Sequence, residues 1–89
     1  MSSEENWILQ VDSLVFAALK KIPRRDAERI LVIIESLPLN PFAGDIQKMK
    51  GERNTWRRRT GSFRIFYELV LSEKAIYVFK IERRTSKTY

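Results

Sequence analysis

Residues 55–83 read TWRRRTGSFRIFYELVLSEKAIYVFKIER, and this stretch decides the fold. Three runs within it, 55–60, 63–71 and 75–83, are rich in aromatic and β-branched residues and predict three strands. Gly61 and Ser62 supply a hairpin turn between the first two runs, and Ser72, Glu73 and Lys74 supply the second turn. Successive side chains of a strand point to opposite faces. Arg57 and Arg59 therefore share one face and Arg58 takes the other. Arg64, just past the first turn, is placed to share the face of Arg57 and Arg59.

Outward from this meander, the N-terminal half carries a different periodicity. Residues 7–11, Trp-Ile-Leu-Gln-Val, form a short apolar run that predicts a first strand. Asp12 and Ser13 can cap a helix over 14–21, and Pro23 ends that helix or opens the next. Ala27, Ile30, Leu31, Ile34 and Leu37 then make the i, i+3, i+4, i+7 stripe of an amphipathic helix, which Pro38 stops. Residues 39–45 are turn formers, and 47–54 predict a basic loop leading into the sheet. The expected order is β-α-α-β-β-β. It describes a single α+β domain over residues 1–89, with a helical hairpin packed on one face of a small antiparallel sheet.

Composition removes several kinds of chemistry. With 89 residues there is room for one core and no second domain. The chain has no cysteine, which excludes a thiolate nucleophile, a disulfide and zinc-finger architecture. It has no histidine, the commonest metal ligand and the usual general base near neutral pH. No cofactor and no metal are implied. No apolar run approaches the roughly 18–20 residues of a membrane span. The opening residues Met-Ser-Ser-Glu-Glu-Asn are unlike a secretory signal, so a cytoplasmic location away from the membrane is expected.

The net charge of +6 is unevenly placed. Residues 1–47 hold five basic and seven acidic groups, whereas residues 48–89 hold twelve basic and four acidic ones. Such asymmetry is an electrostatic footprint for a polyanion. Lys48, Lys50, Arg53, Arg57, Arg58, Arg59 and Arg64 crowd into residues 48–64, with Arg83, Arg84, Lys87 and Tyr89 at the end of the chain. Seven or more cations are expected to converge on one surface. Four carboxylates in that half are too few to neutralise them, and phosphate matches the guanidinium fork.

The helices carry mixed or acidic surfaces rather than a basic groove-reading face, so single-stranded RNA suits the sheet better than duplex DNA. Trp56, Phe66 and Tyr89 are candidate stacking groups, with core packing the commoner role for Trp56 and Phe66. RNA can be cut without histidine or metal if its own 2′-hydroxyl attacks. The protein must then align the backbone, move two protons and stabilise the added charge on phosphorus. Arginine serves the last task. Lys48, Lys50 and Tyr89 are the candidates for proton handling, with Glu52 a weaker one.

Several stretches together resemble the RelE/ParE toxin superfamily. They are Asn40-Pro41-Phe42, Gly44-Asp45, Lys48-Met49-Lys50-Gly51, and the run from Trp56 to Tyr67, WRRRTGSFRIFY. Arg83 followed by Tyr89 resembles the family's closing basic-aromatic segment. The resemblance implies a type II toxin that cleaves messenger RNA in the ribosomal A site and is neutralised by a cognate, RelB-like antitoxin. It gives Arg57, Arg64, Arg83 and Tyr89 catalytic roles: Arg64 on the phosphate, Arg83 on the transition state, Tyr89 as general base. It leaves Lys48, Lys50, Arg53, Arg59, Arg84 and Lys87 to bind RNA. In the best-studied catalytic members a lysine stands in the place of Arg57, and the position of Arg58 is usually apolar. Two alternatives stay open, a ParE-like poison of DNA gyrase and an inactive RNA-binding homologue.

Overall fold

A computed structural model describes residues 7–51 and 54–83. The chain runs β1 (Ile8–Val11), α1 (Ser13–Leu19), α2 (Arg24–Ser36), β2 (Ile46–Lys48), β3 (Thr55–Thr60), β4 (Phe63–Val70), a short 3-10 turn (Leu71–Glu73) and β5 (Ala75–Arg83). The five strands form one sheet in the order β1-β5-β4-β3-β2. The meander β3-β4-β5 is antiparallel, as the alternation predicts.

Two features differ from the sequence expectation. The sheet is mixed rather than antiparallel, because β1 pairs parallel to β5, with Leu9 opposite Ile76 and Val11 opposite Val78. The two helices between β1 and the meander carry the chain over the sheet and back to its starting end, as a parallel connection requires. Second, the basic loop begins as a strand. Ile46, Gln47 and Lys48 pair antiparallel with Arg58, Arg57 and Trp56, and extend the sheet at its edge.

Asp12 caps α1: its carboxylate accepts from the Leu14 amide at 2.8 Å. Pro23 immediately precedes α2, where its fixed φ suits a helix entry and its missing N–H costs nothing. The helices cover one face of the sheet. Val15, Leu19, Ile30, Ile34 and Leu37 from the helical side pack with Phe63, Ile65, Tyr67, Leu69, Ile76 and Val78. Every second residue of β4 from Phe63 to Leu69 thus points at the helices, which leaves Arg64, Phe66 and Glu68 on the open face.

Candidate nucleic-acid interface

The register of β3 on β4 fixes which cations meet. Arg58 lies opposite core-facing Ile65, so it points to the helix side, whereas Arg57 opposite Phe66 and Arg59 opposite Arg64 point to the open face. On β5 the register shifts between Phe66 and Tyr67 of its partner, so that Lys80 comes opposite Phe66 and Glu82 opposite Arg64. The bulge rotates the end of β5 and brings Phe79 and Lys80 to the open face together. The Lys80 ammonium stands 4.7 Å from the Phe66 ring centre. Phe79 lies 6.3 Å from Phe66 and 6.1 Å from Tyr77, so an aromatic row crosses this face beside the arginines.

Among the described residues the cations expected to converge are divided between the two faces of the sheet. Arg57, Arg59, Arg64 and Lys80 share the open face. Lys48 is exposed at the edge strand but paired with Trp56, hence on the helix side. Lys50 is exposed in the turn that follows. Arg83 ends β5 opposite core-facing Phe63 and holds its guanidinium 5.4 Å from that ring, also on the helix side. Arg53, Arg84, Lys87 and Tyr89, and with them Glu52, lie outside the described residues.

Carboxylates reach the arginines more fully than the count within residues 48–89 suggested. Asp45, from the loop before β2, accepts from Arg59 Nε at 3.0 Å, with both side chains about half exposed. Glu82 lies 3.5 Å from Arg64 and 3.8 Å from Lys80. Arg57 instead donates to the amide oxygen of Gln47, its cross-strand partner. Among the described residues no carboxylate pairs with Arg57. Ion pairs this exposed contribute only about 0.2–1 kcal/mol each, so they order the guanidiniums without sealing them. Asp45, Ile46, Gln47, Arg57 and Arg59 line an open hollow of about 200 Å³ at this edge of the sheet.

The loop that delivers Asp45 is clamped from below. The Tyr67 hydroxyl, buried in the core, donates to the Pro41 carbonyl at 2.6 Å. Arg58 donates to the Ala43 carbonyl at 3.2 Å, and its guanidinium lies against Gly44, whose φ of +86° suits glycine. Phe42 packs edge-on against Trp56 with ring centres 5.5 Å apart. The Arg59 amide donates to the Asp45 carbonyl at 2.9 Å. The Arg58 guanidinium is therefore held at the rim of the core by a loop carbonyl.

Two candidate stacking groups prove to be packing residues. Trp56 faces the core and Phe42, and Phe66, although on the open face, is 6% exposed beneath its neighbours. Tyr77 and Phe79, which the sequence did not single out, are the more accessible rings of that face. Neither described tyrosine is poised to take a proton. Burial pushes the Tyr67 phenol up to about 12, offset in part by Arg58, and a hydrogen bond to the Asp12 carboxylate raises Tyr77. Among the described residues no three histidine, cysteine, aspartate or glutamate groups stand together as a metal site, and no helix is long and apolar enough to cross a membrane.

Comparison with known proteins places this arrangement. The family profile described as the ParE toxin of the type II toxin–antitoxin system parDE matches residues 10–87. The candidate toxin RelE1 of Methanocaldococcus jannaschii is 30% identical over 79 residues, covering 85% of this chain and 88% of its own. Toxin RelE3 of the same organism is 39% identical over 72 residues, covering 66% and 82%. Among solved structures, the archaeal RelE–RelB complex from Pyrococcus horikoshii OT3 superposes with a TM-score of 0.80 at 23% identity, covering 92% of this chain and 99% of that one, a likeness of fold. The RelB–RelE antitoxin–toxin complex from Methanococcus jannaschii gives 0.70 at 28% identity, covering 83% and 88%. With its profile match spanning nearly the whole sequence and its helices packed on a five-stranded mixed sheet, the chain belongs to the RelE/ParE superfamily and is a RelE-like toxin of the type II toxin–antitoxin kind.

Proposed function

We propose that this toxin is an endoribonuclease that cleaves messenger RNA in the ribosomal A site and is neutralised by a cognate RelB-like antitoxin. The observation that carries the proposal is the direct cross-strand opposition of Arg59 and Arg64, with Arg57 beside them, on an uncovered sheet face. Like charges set opposite one another destabilise a sheet, and a bound phosphate turns that repulsion into attraction. The aromatic row and Lys80 continue the surface along the path that a single strand would follow.

In the proposed reaction the 2′-oxygen of the RNA attacks the adjacent phosphorus and the bond to the 5′-oxygen breaks. A proton leaves the 2′-hydroxyl and another must reach the departing 5′-oxygen. Arg57, Arg59 and Arg64 bind and orient the phosphate, and their fixed charge favours the more negative transition state. The family resemblance assigns Arg83 to the same charge, from its place at the end of β5 on the helix side. The family resemblance assigns Tyr89 as the general base. Lys50, Arg53, Arg84 and Lys87 are assigned to extend the RNA contact, and Lys48 to meet it from the helix side of the edge strand. The chemistry uses no cofactor, and the proposed setting is the cytoplasm, with messenger RNA and the ribosome as partners.

Solved relatives named as RelE–RelB complexes support an antitoxin partner. A basic sheet face and exposed Leu14, Phe16 and Val32 on the helices suit acidic or amphipathic helical segments that wrap the toxin. Primer extension on ribosome-bound message tests the nuclease. New 5′ ends are expected with the wild type and lost with Arg64→Ala. No new ends, under conditions where another such toxin cuts, would reject it. A gyrase poison is the second proposal, favoured by the ParE description of the matching family; inhibition of supercoiling without RNA cleavage would select it.

A further inference from the structure

The hollow at the β2–β3 edge holds an anion of the protein's own. Asp45 Oδ2 stands 3.0 Å from Arg59 Nε, on the face where the proposed function seats a backbone phosphate. A carboxylate and a phosphate present the same acceptor geometry to a guanidinium, so the two cannot occupy that edge of Arg59 together. We propose that Asp45 is a built-in competitor for the RNA phosphate, and that single-stranded RNA binds by displacing its carboxylate from Arg59. This rests on the open sheet face being the RNA surface.

Three features fit a carboxylate that yields rather than a structural bridge. Both side chains are about half exposed, so a strand can reach the pair from solvent and the bond is weak. The backbone beneath is anchored independently, through Arg59 N–H to the Asp45 carbonyl, Arg58 to the Ala43 carbonyl and Tyr67 to the Pro41 carbonyl. The carboxylate can swing away without releasing the loop. Finally, Arg57, two residues away on the same face, is held by the neutral amide of Gln47, which a phosphate replaces more readily than a carboxylate. A strand can therefore engage Arg57 first and displace Asp45 second. The consequence is selectivity: an isolated monoanion gains little by exchanging with Asp45, whereas a chain of phosphates already held at Arg57, Arg64 and Lys80 competes at high local concentration.

The test is binding of a short single-stranded 2′-O-methyl oligoribonucleotide, which lacks the attacking hydroxyl, across a series of salt concentrations. Asp45→Asn and Asp45→Ser are expected to bind about 3- to 5-fold more tightly than wild type at low salt, the range for removing a half-exposed ion pair. Their log–log salt slope should steepen by roughly 0.7, because one more guanidinium then neutralises a phosphate without an internal carboxylate regaining a counterion. Glu35→Gln on α2 controls for net charge and should change neither. In an Arg59→Ala background the Asp45→Asn gain should vanish. Equal affinity of wild type and both Asp45 variants, or a gain that survives Arg59→Ala, overturns the competitor while leaving RNA binding intact. If no protein of the set binds the oligonucleotide, the proposed function falls and the competitor with it.

Discussion

Arg59 and Arg64 face one another across β3 and β4, each tied to a different carboxylate, Asp45 for the first and Glu82 for the second. Two guanidiniums in direct cross-strand register, restrained by partners from two further segments, set like charges side by side at some cost to the sheet. Removing either arginine should therefore separate stability from activity.

Arg64→Gln takes away both the repulsion with Arg59 and the ion pair with Glu82, two effects of opposite sign. The midpoint of urea unfolding should move by no more than about 1 kcal/mol equivalent. RNA cleavage should fall on the order of 10²–10³-fold, as for the loss of one transition-state charge donor. A large loss of stability, with activity falling in proportion, would place Arg64 in the scaffold instead.

Tyr67→Phe deletes the donor to the Pro41 carbonyl in a buried setting and should cost about 1–3 kcal/mol, lowering Tm by roughly 4–8 °C per kcal/mol in a domain this size. The pH dependence follows from its phenol, raised to about 12 by burial. The folded pKa exceeds the unfolded one near 10. Stability from the neutral phenol is thus complete below about 10 and lost as pH rises toward 12. Thermal melts from neutral to alkaline pH should show this decline in the wild type and a reduced one in Tyr67→Phe.

Gly44→Ala meets two obstacles. Its φ of +86° disfavours a side chain by about 1–2 kcal/mol, and a Cβ there would collide with the Arg58 guanidinium. Only the second is relieved by shortening Arg58. A double-mutant cycle with Arg58→Ala should show positive coupling, the glycine substitution costing less in the shortened background. Additive costs would mean that the Arg58 side chain moves aside without penalty.

Asp12 joins the cap of α1 to the open sheet face. The Tyr77 hydroxyl and then the Leu14 amide hold its carboxyl below the ordinary aspartate value. A depressed folded pKa contributes stability present above the unfolded value near 3.9 and lost as pH falls through the folded value. Denaturant titrations between neutral pH and acid should reveal that loss. Tyr77→Phe should shrink it, leaving the smaller part due to Leu14. An unchanged acid profile in Tyr77→Phe would remove the hydroxyl as the main cause.

The three strands of the meander were legible because alternation and turn chemistry agree from Thr55 to Arg83, and the face shared by Arg57, Arg59 and Arg64 followed from the same period. β2 was not legible, since Ile46, Gln47 and Lys48 include one apolar residue and owe their extended form to pairing with β3. The parallel placement of β1 beside β5 was hidden for a related reason: periodicity marks a strand but not its neighbour. The contact of Asp45 with Arg59 spans 14 positions of sequence, a separation over which charge patterning shows no pairing. The helix-side position of Arg83 is hidden in the sequence, since the β5 register that sets it opposite Phe63 depends on a bulge with no local signature.

The central claim, that the uncovered sheet face receives the RNA strand, is tested most directly by amide chemical-shift mapping of the labelled toxin with a non-cleavable single-stranded oligoribonucleotide. Perturbations are expected at Arg57, Arg59, Arg64, Phe79 and Lys80, with Asp45 shifting as its carboxylate leaves Arg59. Perturbations confined to Lys20, Lys21, Arg24 and Arg25 around the turn between the helices, with the sheet face silent, would contradict it.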